Sequence, residues 1–178
     1  MVITGTFLGN EMSQTPRALN MWEKVLTEIK DFKRIVDLGT WHGNLSLYFL
    51  LFCLGREAEF YTFDNREIWN TTAKKVKELV RFTDYFKHCD IFQHIEKIGQ
   101  TIQKEGKTIL YCDNGKKARE YNTFVPYLKL SDIVAVHDWG REVFPRDIKE
   151  TNVKYKLKEI FITETEEEGL TRFFQKYE

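Results

Sequence analysis

"RIVDLGTWHGNLSLYFLLFCL", Arg34 to Leu54, joins two apolar runs of different character through the loop Asp37 to Asn44. The run before it, "KRIVDL" (33–38), is β-branched and apolar and is closed by Gly39, so it reads as a buried strand. The run after it, Asn44 to Leu54, continues as an apolar helix. A strand that passes straight into a helix puts the loop between them at a carboxyl end, where ligands bind in open parallel α/β sheets. The loop contains neither GxGxxG nor GxxxxGK[ST], so neither a dinucleotide nor a triphosphate is well supported. Trp41 stands where a dinucleotide loop would need its second glycine, and a bulky indole argues against a pyrophosphate crossing there.

Outward from that loop the chain alternates strand-like and helix-like stretches. "AEFYTFD" (58–64) is the next strand; Asn70 and Thr71 are N-caps for a helix carrying Val76, Leu79, Val80 and Phe82. "YFKHCDIF" (85–92) is a weaker strand, followed by a helix with Ile95, Ile98 and Ile102. "KTILYCD" (107–113) is a clear strand, and Lys116 to Leu130 is helical, bent or shortened by Pro126. Tyr121, Phe124 and Leu128 read as its core stripe. "DIVAVHD" (132–138) is a strand again, 141–158 is ambiguous between helix and strand, and "EIFITETEEEGLTRFFQKYE" reads as two antiparallel strands joined by an acidic turn at Gly169. Strands alternating with helices imply right-handed crossovers and a mainly parallel sheet with helices on both faces.

The chain's 178 residues suit one domain, 1–178, that buries roughly 70% of its unfolded surface. Lys plus Arg and Asp plus Glu number 27 each, so no global field draws the chain to nucleic acid or to an anionic membrane. The N-terminus lacks the pattern of a signal peptide, and Leu45 to Leu54 is about half a membrane span. Cys53, Cys89 and Cys112 read as reduced, mostly buried thiols, which with the rest implies a cytoplasmic protein.

The residues that follow the strands carry the candidate chemistry: Asp37–Asn44, Asp64, Cys89–Asp90, Asp113–Lys116 and His137–Trp139. A carboxylate closes or follows all five strands, where helix capping alone would call for one or two. Asp-x-Gly-x-x-x-Gly resembles the first motif of S-adenosylmethionine (SAM)-dependent methyltransferases, whose ligand has no phosphates. A sheet of about five parallel strands ending in an antiparallel hairpin is the Rossmann-like layout of class I methyltransferases. On this reading Asp37, Gly39, Thr40, Trp41 and Gly43 form the cofactor loop, with both glycines allowing close backbone approach. Asp64, 21 residues past Gly43, accepts the ribose hydroxyls, and Asp90 accepts from the adenine amino group. The bland reading is a strand-to-helix turn with capping aspartates.

"VDLGTWHGN" is most similar to the metal-dependent small-molecule O-methyltransferases, namely the catechol O-methyltransferase type and the macrocin O-methyltransferase and cephalosporin hydroxylase-like families. "EMSQTPRALNMWEKVL" resembles the helix before the first strand in the last group. The resemblance covers approximately Thr15 to Tyr177. It implies that "YCDNGKKAREY" supplies a metal-binding Asp113 and, three residues on, a base, Lys116. It also implies that "VAVHDW" supplies the further ligands His137 and Asp138. A metal lowers the pKa of an acceptor hydroxyl, and a lysine beside that metal has its own pKa depressed. His137 stands where a carboxylate is usual, which extends the metal choice from Mg²⁺ or Mn²⁺ to Fe²⁺ or Zn²⁺. The family's serine is absent at Leu45, and Ser46, one residue late, is expected to face elsewhere. Lys117 adjoins the lysine position.

The resemblance implies SAM-dependent O-methyl transfer to a small hydroxylated acceptor, in families that often form homo-oligomers. The acceptor pocket then comes from the N-terminal segment, the loop after Asp138 or a second subunit. Trp41 and Trp139 read as pocket walls, with helix packing as the rival role. The alternatives are a non-catalytic SAM-fold binding module and a methyltransferase with a different acceptor. A nucleic-acid N-methyltransferase would carry [DNS]PP[YFW] where this chain has "DNGK". A nicotinamide-dependent dehydrogenase fails on the loop.

Overall fold

A computed structural model describes residues 5–66, 74–75 and 86–178. The elements run as β1 (Thr6–Phe7), β2 (Asn10–Glu11), α1 (Ala18–Glu28), β3 (Phe32–Leu38), α2 (Asn44–Leu54), β4 (Glu59–Asp64) and β5 (Phe86–His88). They continue with α3 (Ile95–Gln103), β6 (Lys107–Cys112), α4 (Lys117–Phe124), β7 (Ile133–Val136), α5 (Pro145–Lys154), β8 (Leu157–Ile160), α6 (Ile162–Glu168) and β9 (Arg172–Lys176). The helix expected from Asn70 with Val76, Leu79, Val80 and Phe82 lies outside the described residues, apart from Lys74 and Lys75, which are helical.

Among the described residues, seven strands form one sheet in the order β5-β4-β3-β6-β7-β9-β8. The first five pair in parallel, while β9 runs antiparallel to both β7 and β8. Period-two alternation divides the strands between two cores, as a sheet covered on both faces requires. Ile35, Ile109, Tyr111, Ile133, Ala135 and Phe173 point to one face, where Trp22, Leu26, Phe49 and Leu50 of α1 and α2 cover them. Val36, Leu110, Cys112, Val134, Val136 and Phe174 point to the other, under Ile98, Ile102, Tyr121, Phe124 and Ile148 of α3, α4 and α5. Trp22 anchors the first core, edge-on to Phe49, Tyr111 and Phe173 at 4.7, 5.1 and 4.9 Å between ring centroids. Among the described residues no helix is long and apolar enough to cross a membrane.

Two expectations change. The antiparallel pair at the C-terminus is present, but "TETEEE" is a helix, α6, rather than a turn. Its buried positions are polar: Thr165 bonds back to the Ile162 carbonyl, and Glu168 accepts from the N–H groups of Leu170 and Thr171. The ambiguous 141–158 stretch contains α5, which begins at Pro145 with Asp147 accepting from the Phe144 N–H. Pro126 shortens the preceding helix as expected, since α4 ends at Phe124 and Val125–Tyr127 forms a 3₁₀ turn.

Candidate functional site

Strand order reverses between β3 and β6, the two parallel neighbours at the centre of the sheet. A cavity of about 300 Å³ opens at their carboxyl ends. Its walls come from the β3–α2 loop, Asp64, Arg66, the β6–α4 loop, the β7–α5 loop and the N-terminal stretch Met12 to Thr15. This is the switch-point crevice in which such sheets bind ligands, at the low end of small-molecule pocket volumes.

The loop is shaped by neighbouring strands before any ligand arrives. Gly39 adopts φ 122°, and a β-carbon there would lie 2.4 Å from the Asp113 carbonyl oxygen. Its N–H donates to the Phe63 carbonyl, while the Asp113 N–H donates to the Leu38 carbonyl. Glycine is needed at this point because the loop crosses the backbone of the next strand end. Gly43 (φ 84°) caps α2, and Trp41 is left-handed at φ 47°. The Trp41 N–H donates to Asp64 Oδ2 at 2.8 Å, and its indole lies against the His42 ring and under the Arg66 guanidinium, 4.2 Å from the ring centroid. Asp64 Oδ1 accepts from the Arg66 N–H. Trp41 therefore walls the Asp64 side of the cavity.

Asp37 stands behind the loop, 1% exposed and outside the cavity lining. Its Oδ2 accepts from Ser46 Oγ at 2.5 Å and Thr62 Oγ1 at 2.8 Å. Burial pushes its carboxyl up to about 7 despite those donors. Ser46 faces away from the cavity, as expected, and Leu45 lines it in the family serine's place. Side chains on a helix lean toward its N-terminus, and α2 starts at Asn44, so Ser46 reaches back to β3. Thr40 bonds the same Thr62 hydroxyl at 2.6 Å and also lines the cavity.

Asp90 lies away from the cavity. Its carboxylate is exposed and caps the 3₁₀ turn Ile91–Gln93, accepting from the Phe92 N–H and the Gln93 amide. Trp139 packs on Phe174 rather than walling the pocket. Lys116 is exposed and outside the lining; its backbone N–H donates to Glu120 Oε1 and its carbonyl accepts from the Glu120 N–H. The lysine in the site is Lys117, the first residue of α4.

At the far wall, Asp113, His137 and Asp138 bring one ligand atom each within 4.8 Å of one another. His137 Nδ1 approaches Asp113 Oδ1 at 3.2 Å and Asp138 Oδ2 at 3.4 Å, off the line of a hydrogen bond, and neither ring nitrogen has a hydrogen-bond partner among the described residues. Burial alone would lower the imidazole pKa, but the Asp113 and Asp138 carboxylates outweigh it and hold it at about 10. The attraction between ring and carboxylates is thus one of charge. Asp138 takes a left-handed conformation (φ 55°), and its carbonyl accepts from the N–H groups of Arg141 and Glu142. An orphaned, buried imidazole facing two carboxylates fits a divalent cation; two oxygens and one nitrogen suit Mg²⁺ less than Mn²⁺, Fe²⁺ or Zn²⁺.

Lys117 Nζ lies 2.8 Å from Asp138 Oδ2, 2.8 Å from Glu142 Oε2 and 3.5 Å from Asp113 Oδ1, with its side chain 6% exposed. Burial disfavours the ammonium, yet these carboxylates outweigh it and raise the pKa. Asp113 divides its oxygens: Oδ2 accepts from Gln14 Nε2 at 2.8 Å and Tyr111 OH at 3.2 Å, while Oδ1 faces His137 and Lys117. Glu120, fully buried, holds the intervening loop by accepting from the N–H groups of Asn114 and Lys116. Gln14, Arg66, Lys117 and Glu120 had no assigned role in the sequence. Only the adjacency of Lys117 to Lys116, and the expectation of a pocket-forming N-terminal segment, pointed toward any of them.

No family model and no curated protein matches the sequence. Solved structures do match in fold. A cmcI structure with SAH is 13% identical, covering 97% of this chain and 82% of that one at a TM-score of 0.66. A second cmcI structure, with Mg and SAM, is 15% identical, covering 94% and 75% at 0.63. SAH-bound methyltransferase PaMTH1 of Podospora anserina is 11% identical, covering 94% and 80% at 0.61. The chain has the Rossmann-like class I methyltransferase fold, a mainly parallel sheet with a C-terminal antiparallel pair and helices on both faces.

Proposed function

We propose that this chain is a SAM-dependent methyltransferase that transfers a methyl group to an oxygen of a small hydroxylated acceptor, assisted by a divalent metal. The observation that carries the reading is the pairing of two unlike walls in one cavity. A phosphate-avoiding loop with Asp64 stands on one side, and the Asp113–His137–Asp138 cluster with its orphaned imidazole stands on the other. The fold shared with SAM- and SAH-bound proteins supports it.

SAM supplies an activated methyl group, and a divalent cation held by Asp113, His137 and Asp138 would lower the pKa of the acceptor hydroxyl. The chain's own residues bind and orient. Asp64 keeps lone pairs free beyond its two backbone donors and can accept ribose hydroxyls. The Gly39–Gly43 backbone receives the amino acid end, and Trp41 with Arg66 closes the Asp64 side. Lys117, set among the Asp113, Asp138 and Glu142 carboxylates, supplies counter-charge and N–H donors beside the cluster. In-line placement of oxygen and methyl carbon between the two walls can contribute several kcal/mol to the rate.

The test is calorimetric titration with SAM, with and without Mn²⁺. Binding in the micromolar range, tightened or made catalytically productive by metal, supports the proposal. No heat at millimolar SAM overturns it in favour of a non-catalytic binding module, for which Asp113→Ala and Asp138→Ala would leave biological activity unchanged.

A further inference from the structure

We infer that Lys117 is a built-in cation of the Asp113–His137–Asp138 cluster, one that must withdraw toward Glu142 before a divalent ion can enter. The inference rests on the metal reading of that cluster. It adds a gate made of the chain's own residues.

The Lys117 ammonium already spans the two carboxylates on which a metal would depend, at 2.8 Å from Asp138 and 3.5 Å from Asp113. Its side chain is 6% exposed, so water screens it little. An ammonium and a divalent cation sharing those oxygens would repel each other at close range inside the protein. Glu142 offers the lysine a second seat. Its Oε2 is also 2.8 Å from Nζ, its side chain is 53% exposed, and a turn closed by its own N–H on the Asp138 carbonyl holds it beside the cluster. The long lysine stem can pivot from the buried pair toward that outer carboxylate while keeping an ionic partner throughout. Position matters here as well as charge. At the exposed Lys116, one residue earlier, the same ammonium would leave one carboxylate charge of the cluster without a cation and open to ions. In this arrangement the cluster is charge-balanced without metal, and metal affinity is set by how cheaply Lys117 can leave.

The probe is Mn²⁺, followed by the electron paramagnetic resonance signal of the free ion against the whole chain. Lys117→Met is expected to bind Mn²⁺ at least about tenfold tighter than the wild type, the repelling ammonium being gone while the His137 ring is the same in both proteins. Glu142→Gln is expected to bind severalfold more weakly, because the lysine loses its second seat. In the Lys117→Met background the Glu142→Gln change should have little further effect, as a double-mutant cycle would reveal. If the wild type binds Mn²⁺ and Lys117→Met binds no tighter, the gate is overturned while the metal site stands. A Glu142 effect undiminished in the Lys117→Met background also overturns it. If neither protein, each folded by circular dichroism, binds Mn²⁺, the metal reading falls and the gate with it. Should Lys117→Met fail to fold, the Mn²⁺-induced rise in Tm decides: it must be smaller in Glu142→Gln than in the wild type, and an equal rise overturns the inference.

Discussion

Gln14 Nε2 donates to Asp113 Oδ2 at 2.8 Å across ninety-nine positions of sequence, fixing which oxygen of Asp113 faces the His137 and Lys117 side. Gln14 is 5% exposed, and its own Oε1 has no hydrogen-bond partner among the described residues. Its placement follows from a tight N-terminal turn, in which the Gly5 N–H donates to the Gln14 carbonyl and the Met12 N–H to that of Gly5. Supporting donors of this kind orient metal-binding carboxylates. Gln14→Leu keeps the volume and removes the donor. It is expected to lower Mn²⁺ affinity by roughly 10- to 100-fold, the usual cost of losing an outer partner, with a small change in Tm. Calorimetry on the folded variant checks both halves.

Gly39→Ala should be among the most damaging single-methyl changes in the chain. The added carbon meets the Asp113 carbonyl at 2.4 Å and sits on a backbone at φ 122°. Gly115→Ala is the control, since it shares a positive φ of 82° but has open space around the new carbon. The control should cost about 1–2 kcal/mol from backbone conformation alone. Gly39→Ala should exceed it by on the order of 2 kcal/mol and displace Asp113. Urea unfolding of both variants gives the comparison.

Asp37 and Glu120 give the fold a defined pH dependence. Burial raises each carboxyl to about 7 in the folded chain, from ordinary values of 3.8 and 4.5. Between those limits the native state holds more protons than the unfolded state, so stability falls as pH rises. The contribution is fully present below about pH 4 and is lost as pH passes through 7. Asp37→Asn keeps an acceptor for Ser46 and Thr62 but cannot ionise. Its urea midpoint should match the wild type near pH 4 and exceed it at pH 8. A midpoint below wild type at pH 8 would show that the charge itself is required.

Ser46→Ala tests the same pocket from the other side. It removes the 2.5 Å donor to Asp37 and leaves the Thr62 hydroxyl as the remaining close one. A buried acceptor deprived of a donor costs about 1–3 kcal/mol. That loss should be larger at pH 8, where Asp37 is charged, than at pH 5, where it is protonated. Equal losses at the two values would mean that the hydroxyl does not stabilise the charge.

The sheet was legible because its central strands are covered on both sides and are therefore spelled as continuous apolar runs such as "ILYC" and "IVAV". Helix α6 escaped because Thr165 and Glu168 bury through hydrogen bonds, leaving no apolar period to read. Asp113, His137 and Asp138 could be found since they end strands. The choice of Lys117 over Lys116 could not, as it depends on α4 starting one residue later and turning that side chain inward. Asp90 shows the opposite failure: an acid after a strand served its nearest backbone N–H, which spacing alone does not distinguish from a ligand contact.

The stitching of the N-terminal segment also sets an order of assembly. Gln14 meets Asp113, Thr15 Oγ1 meets Glu168, and Arg17 reaches the Glu167 carbonyl 150 positions away. Contacts of such separation form late, because closing long loops is entropically costly before the sheet exists to reward it. A refolding chain will therefore regain its helical signal before it regains the cavity wall. A nascent chain cannot complete that wall until Glu167 and Glu168 have been synthesised.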